Sequence, residues 1–423
     1  MLQVYRYLTF FFFPLFVFLI YFRSIINKED KMRFKEKIFS SHFKAQVDNN
    51  KKLVWFHAAS IGECLSILPL IDEINSENKN VNFLITTVTL SSSKILEKKL
   101  KQYNNTIHRF FPLDVEGLAE KFLSSWKPDL VCFVDSEIWP NFIFKIKEKK
   151  IPLILINARI TKKSFNKWKI ILNFAKKVFN NFDLCLAASK ESENNLSKLH
   201  VRNLKYIDNL KYSVKNITNG LKESNKKRLN HLKTWCAAST HIGEELIILK
   251  THLKIKKKYD NILTIIIPRH VDRSSYIKKL SNKFNLNSQI LNDGDLINSN
   301  TEVLIVNSYG VLSEYFSCCT NIFVGKSFIK KIKNAGGQNP IEAAKLGCKI
   351  FYGPYVSNFH EIYDHLKSLG IAKEVNDASD LAKKLTLNFD AQITKDQEQI
   401  DLLNNYGEKI LKETVLELNT YLK

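Results

Sequence analysis

Two series of short, almost continuously apolar runs, each ending in a polar cluster, govern what this chain can fold into. The first series occupies 53–57 (LVWFH), 81–88 (VNFLITTV), 130–134 and 153–156. The second occupies 235–238, 263–267 (LTIII), 302–306 (EVLIV), 322–324 and 349–351. Strands without a polar face need cover on both sides, the condition of a parallel sheet flanked by helices. Helix-like stretches at 62–75 and 91–100 supply that cover in the first series, so the alternation predicts an α/β fold. A chain of 423 residues suits two domains of about 150–200 residues each. A Lys/Asn-rich stretch at 214–233 reads as the linker, which places the domains at 27–213 and 214–423, with 378–423 helical. Two doubly wound halves bind ligands in a cleft at the carboxyl ends of their strands, where the polar clusters stand.

The N-terminus carries a different signal. Residues 7–22 (YLTFFFFPLFVFLIYF) contain no charge. As a helix they reach about 24 Å, slightly short of a hydrocarbon core. Arg6 and Arg23 can snorkel at its ends, and Pro14 would kink it. A cleaved signal peptide is the competing reading. No small-x-small site follows, however, and Lys28, Lys31, Arg33, Lys35 and Lys37 come directly after. A basic flank on that side keeps the remainder in the cytoplasm, so 1–26 is expected to be a single uncleaved anchor. Segment 23–50 reads as a juxtamembrane linker or amphipathic helix.

The formal charge of +22, from 64 Lys plus Arg against 42 Asp plus Glu, calls for an acidic partner or reflects a general compositional bias. No short basic tract reads as a nucleic-acid arm. The seven cysteines are scattered without a CxxC pair, which suits buried free thiols and implies neither a disulfide framework nor a zinc site. The histidines show no metal-ligand spacing.

No GxGxxG, GxxxxGK[ST], HExxH or GxSxG occurs. The chemistry-bearing residues follow the apolar runs instead. After the first comes His57-Ala58-Ala59-Ser60-Ile61-Gly62-Glu63. Ser60 can cap a helix, Gly62 allows a close approach, and Glu63 is either a capping carboxylate or a catalytic one. Asp135-Ser136-Glu137-Ile138-Trp139-Pro140-Asn141 is either a surface loop with Trp139 packed inward or part of a site. Asn157-Ala158-Arg159 adds a cation. In the second half, Ser239-Thr240-His241-Ile242-Gly243-Glu244 repeats the form of 60–63 and can hold a phosphate on backbone N–H groups. Pro268-Arg269 offers a cation for phosphate or a surface salt bridge. Gly336-Gly337-Gln338-Asn339-Pro340-Ile341-Glu342 can form a sugar or nucleoside pocket, with Tyr309-Gly310-Val311 as its expected neighbour.

In this order, HAASIGE, DSEIWPN, INARITKKSF, DNLKY, AASTHIGEE, IPRHVDR, GGQNPIEAA and GPYVSNF, with the anchor before them, resemble the Kdo (3-deoxy-D-manno-octulosonic acid) transferases of lipopolysaccharide synthesis. The resemblance runs nearly end to end. It implies a GT-B architecture of two Rossmann-like domains facing across a cleft, with the catalytic domains on the cytoplasmic side of an inner membrane. It also implies transfer of Kdo from CMP-Kdo to a lipid A precursor (lipid IVA), with inversion, no cofactor and no metal in the chemical step. Carried over residue by residue, Glu63 would be the proton acceptor, Glu137 a second acidic site residue, and Lys211 a stabiliser of the transition state. Pro268, Arg269, Tyr309, Gly310, Val311, Asn339, Pro340, Ile341 and Glu342 would bind CMP. Ser60, Gly62, Arg159, Ser239, Thr240, His241, Gly336 and Gly337 complete the expected cleft. Another membrane-bound GT-B enzyme using a different nucleotide sugar is the alternative. This chain departs from the family pattern at Asp135, where Glu is common, at Ile207-Asp208, where Gly is common, at Gln338, where His is common, and in the longer basic segment 326–335.

Overall fold

The computed structural model describes residues 1–45, 48, 50–215, 220–331 and 336–422. Its first unit comprises Met1–Val214 together with Tyr406–Lys423, and its second Lys215–Asn405. The first holds seven parallel strands: β1 (Lys52–His57), β2 (Val81–Thr87), β3 (Thr106–Phe110), β4 (Leu130–Val134), β5 (Leu153–Ala158), β6 (Leu184–Ala187) and β7 (Leu204–Tyr206). Their order is β3-β2-β1-β4-β5-β6-β7, so the winding reverses between β1 and β4. The second unit holds β8 (Lys233–Thr240), β9 (Ile262–Pro268), β10 (Ser288–Leu291), β11 (Val303–Val306), β12 (Asn321–Val324), β13 (Lys349–Tyr352) and β14 (Ala372–Glu374). These order as β10-β11-β9-β8-β12-β13-β14, again all parallel. The reversal here falls between β8 and β12.

The apolar runs form the central strands: β1, β2, β4, β5 and β9 are buried along almost their whole length, and β8 is buried over its apolar run Trp235–Ala238. Trp55 anchors the first core among the rings of Phe111, Phe122, Phe133 and Phe142. Each such buried ring contributes roughly 1.5–3 kcal/mol relative to exposure. Trp235, Phe323 and Phe351 do the same in the second core.

Two expectations about boundaries are corrected. The chain was expected to remain in the second domain through residue 423, but the helix Gln397–Asn419 carries its end back to the first. Ile410, Leu411, Val415 and Leu418 recur at helical spacing and are buried, so this face requires a core to cover it. Lys52 Nζ also donates to Leu422 O at 2.6 Å. The expected linker 214–233 contains a helix, Glu223–Asn230; residues 216–219 lie outside the described residues.

The N-terminal stretch forms α1 (Leu2–Phe11) and α2 (Phe13–Ile25), bent by 51° at Phe12, with Pro14 in the first turn of α2. No single helix among the described residues is long and apolar enough to cross a membrane. Residues 1–26 are not a detached element. Arg6, expected to snorkel, is held by Glu116 at 3.0 Å and Glu148 at 3.1 Å. Tyr5 Oη donates to Asp114 at 2.7 Å, and Asn141 Nδ2 to Thr9 Oγ1 at 3.2 Å. The basic flank is thinner than its composition suggests. Arg33 is engaged by Glu36 and Glu97, and buried Lys37 pairs with Glu29, which leaves Lys28, Lys31 and Lys35 exposed. Segment 23–50 contains two short 3-10 turns, Arg33–Lys37 and Ser40–His42, in place of an amphipathic helix.

Candidate active site

In the first domain, β1 delivers the chain to a loop that starts α3 (Ile61–Glu77). Ser60 caps this helix and Glu63 closes the capping box. The Glu63 carboxylate accepts Ala59 N–H at 2.8 Å, Ser60 N–H at 3.3 Å and the Ser60 hydroxyl at 2.6 Å. Capping and chemistry are therefore not alternatives at this position, because Glu63 also sits among charges. Burial first, then the negative charge of Asp135, raises its proton affinity above the ordinary carboxylate range; Glu137 adds to this, and Ser60 and Lys211 oppose it.

The loops after β4 and β5 bring the rest. Asp135, at φ +61°, receives Lys211 Nζ at 3.0 Å. Asn157, at φ +52°, accepts Leu210 N–H at 2.9 Å, so two strand ends hold the turn that carries Lys211. That turn begins at Asp208, whose φ of +89° is a conformation glycine favours. This accounts for the departure seen in the sequence: the side chain occupying the glycine position is gripped by the hydroxyls of Tyr206 and Tyr406. The Lys211 stem lies against Gly62, whose added Cβ would stand 3.7 Å from Lys211 Cε. Glu137 Oε2 receives Trp139 Nε1 at 2.8 Å and lies 3.2 Å from His57 Nε2. Trp139 is thus packed inward and also part of the site. Arg159 donates its backbone N–H to Asp135 O at 3.1 Å. The expected trio Glu63, Glu137 and Lys211 is brought together. His57 and Asp135 stand in the two motifs singled out in the sequence but were given no role of their own; the structure places them against Glu137 and Lys211.

The second domain repeats the β1 arrangement at β8. Glu244, the counterpart of Glu63 in form, accepts His241 N–H at 2.9 Å and also the backbone N–H groups of Lys326, Ser327 and Phe328 at 2.7–3.1 Å. Its carboxylate therefore fixes two loops and occupies a donor that the sequence suggested for phosphate. Pro268 pairs with Thr240 and Arg269 N–H donates to Thr240 O at 3.1 Å, so Ser239, His241 and Arg269 gather at one strand end, whereas Thr240, expected in the cleft, is buried with its hydroxyl donated to Glu245 at 2.9 Å. Arg269 is exposed and makes no ion pair among the described residues; Arg273 is the partner of buried Glu245, at 2.6 Å. A second group forms where Ser313, two residues after Val311, donates to Glu342 Oε1 at 2.5 Å. Burial raises the Glu342 carboxyl above its ordinary range. Asn339 Oδ1 accepts Ile341 N–H at 3.1 Å, and Tyr309 and Gly310 stand open beside Val311. Gly337 N–H donates to Lys326 O at 2.7 Å, and a Cβ on Gly336 would meet Tyr355 O at 2.2 Å. At Gln338 the backbone carbonyl, not the side chain, is used, accepting the Tyr363 hydroxyl. Of the basic segment 326–335, residues 332–335 lie outside the described residues.

Two parallel doubly wound domains, each with its polar cluster at the strand ends, define a protein of the GT-B type. A putative UDP-N-acetylglucosamine 2-epimerase from Listeria monocytogenes has the same fold, with a TM-score of 0.61 and 11% identity over 88% of this chain and 97% of that one. The family model for 3-deoxy-D-manno-octulosonic-acid transferase matches residues 32–214. The transferase of Rickettsia bellii is 31% identical over 97% of this chain and 95% of its own length. That of Haemophilus influenzae is 27% identical over 85% and 83%. The chain belongs to the 3-deoxy-D-manno-octulosonic acid transferase family and is a glycosyltransferase.

Proposed function

We propose that the enzyme transfers Kdo from CMP-Kdo to a hydroxyl of a lipid A precursor, with inversion and without a metal ion in the chemical step. The observation that carries this reading is Glu63, a carboxylate of raised proton affinity with Glu137 and Lys211 around it. A general base works best when its pKa approaches the operating pH. The acceptor hydroxyl oxygen attacks the anomeric carbon, its proton passes to Glu63, and the carbon–phosphate-oxygen bond breaks to release CMP. Arg269 suits the phosphate, and Lys211, oriented by Asp135, supplies positive charge for the transition state. The remaining CMP positions are Pro268, Tyr309, Gly310, Val311, Asn339, Pro340, Ile341 and Glu342.

The membrane belongs to the same proposal. Phe10, Phe11, Phe18, Phe22 and Ile25 of α1 and α2 are at least half exposed, an apolar surface suited to lipid. Lys28, Lys31 and Lys35 beside it favour an anionic leaflet. The site residues would then work on the cytoplasmic side of an inner membrane.

The test is incubation of the full chain with CMP-Kdo and tetra-acylated lipid A precursor, read by mass spectrometry. Mass increments of Kdo on the lipid are expected, and their number counts the additions. Absence of transfer from CMP-Kdo, with transfer from a UDP-sugar, would overturn the donor assignment.

A further inference from the structure

We propose that His57 is a positioning residue for Glu137: a buried chain of hydrogen bonds directs its Nε2–H at one carboxylate oxygen and leaves the other for the reacting sugar. The proposal rests on the assignment of Glu137 to the transfer chemistry.

The direction of the chain follows from which atoms can only donate. An indole nitrogen is a donor and never an acceptor. Trp55 Nε1 donates to Thr86 Oγ1 at 2.9 Å. The Thr86 hydroxyl, with that lone pair taken, has its own proton to place, and His57 Nδ1 lies 3.0 Å away. An imidazole that accepts at Nδ1 carries its proton at Nε2. Nε2 stands 3.2 Å from Glu137 Oε2, and Trp139 Nε1 lies 2.8 Å from the same oxygen and 3.1 Å from Nε2, so with Nε2 protonated the ring and indole donors converge on one carboxylate oxygen. An imidazolium, with Nδ1–H directed at Thr86 O 3.2 Å away, leaves the same Nε2–H on Glu137. The opposite neutral tautomer would let Nε2 accept the Trp139 indole N–H and Nδ1–H reach Thr86 O, but it would set the ring lone pair against the Glu137 oxygen and leave that carboxylate to the indole alone.

Burial makes the chain rigid. Trp55, Thr86 and His57 are fully buried, and the His57 ring stacks on Phe111 with centroids 3.9 Å apart. His57 cannot itself reach substrate. Oε2 of Glu137 is satisfied by two donors, whereas Oε1 has no hydrogen bond among the described residues, and the side chain keeps 16% of its surface open. A carboxylate pinned this way holds negative charge at one fixed point. Sugar transfer through an oxocarbenium-like transition state develops positive charge that such a point stabilises without reorganisation.

The experiment uses the full-length enzyme with both substrates saturating, comparing His57→Leu, His57→Gln and Glu137→Gln. Circular dichroism confirms that each variant is folded. Loss of a partner that orients a reactive group costs about 10–100-fold. His57→Leu is therefore expected to lower kcat by that factor with KM for either substrate unchanged. Glutamine places an amide N–H where Nε2–H stood, so His57→Gln should recover about tenfold over the leucine variant. The wild-type enzyme labelled with 15N-histidine supplies a measurement on the unsubstituted site: the His57 resonance, identified by its absence from the spectrum of folded His57→Gln, should report a protonated Nε2. A leucine variant within about twofold of wild type, a glutamine variant no better than leucine, or an unprotonated Nε2 would each overturn the proposal. Full activity of Glu137→Gln would overturn the parent assignment instead, and would leave the nitrogen resonance as it was.

Discussion

Gly407 is where the returning C-terminal helix meets the turn that carries Lys211, and replacing it with alanine should uncouple them. A Cβ there would stand 2.1 Å from Tyr212 O and 2.6 Å from its carbonyl carbon. Ordinary contact begins near 3.4 Å, so the helix or the turn must shift by about 1.3 Å. The obstacle is backbone and cannot rotate away. Alanine gains about 1 kcal/mol over glycine in a helix interior, whereas overpacking costs about 1–3 kcal/mol. With a backbone wall the cost lies at the upper end, for a net loss of about 1–2 kcal/mol. In a domain of this size that lowers Tm by about 2–8 °C. The shift also disturbs Tyr406, which grips Asp208 three residues before Lys211. A misplacement of about 1 Å can cost 100-fold in rate, so kcat should fall roughly 10–100-fold. Gly117, in the helix Glu116–Trp126, has nothing within 4 Å of an added Cβ, so Gly117→Ala should leave kcat unchanged and Tm equal or higher. Thermal unfolding and turnover on both variants decide the matter. A Gly407→Ala enzyme with wild-type Tm and kcat would refute the reasoning.

Glu63→Gln should fold normally and lose transfer by about 10²–10⁴-fold; activity within a few-fold of wild type would remove the base role. Because burial and Asp135 hold more proton on Glu63, activity should fall with decreasing pH from above the ordinary carboxylate range, as the base protonates. An acidic limb at or below pH 4 would contradict that cause. Arg269→Ala should weaken CMP by about 1.5–3 kcal/mol in calorimetry, the worth of a charge-assisted bond; unchanged affinity would mean that Arg269 points elsewhere. With pre-formed CMP-Kdo, EDTA should leave the rate intact, and loss restored by one divalent ion would show a metal in the step. On anionic vesicles, Lys28→Glu and Lys31→Glu together should weaken flotation and flatten its salt dependence, each basic residue contributing about 1 kcal/mol. Unaltered flotation would leave the apolar helices as the whole attachment.

The sequence made the centre of each sheet legible and its margins obscure. Runs such as LTIII, buried on both faces, have no other reading. The strands that went unrecognised include all four at the sheet edges, β3, β7, β10 and β14. Their residues are only partly covered, as in the alternating TIHRF of β3 or the half-exposed LKY of β7, so no apolar run marks them. The site was readable where motifs named it. Its supports were not, because His57 ends a strand like any buried residue, and its bond to Glu137 spans 80 positions. Asp208 was noticed as a departure, but only the backbone angle explains how an aspartate stands where glycine is common. The return of the C-terminal helix was hidden for a related reason: amphipathic spacing tells that a face is buried, not against which domain.

That return sets a timetable for the making of the molecule. Domains generally fold in order as they leave the ribosome, at about 5–20 residues per second. Here Met1–Val214 emerge first, yet the segment that grips Asp208 begins only at Tyr406. Synthesis of the intervening stretch and the end takes roughly 10–40 s at those rates, during which the Lys211 turn exists without its brace. A chain released early can therefore build most of the first sheet and still lack a finished site, so truncation near the C-terminus silences residues almost two hundred positions upstream.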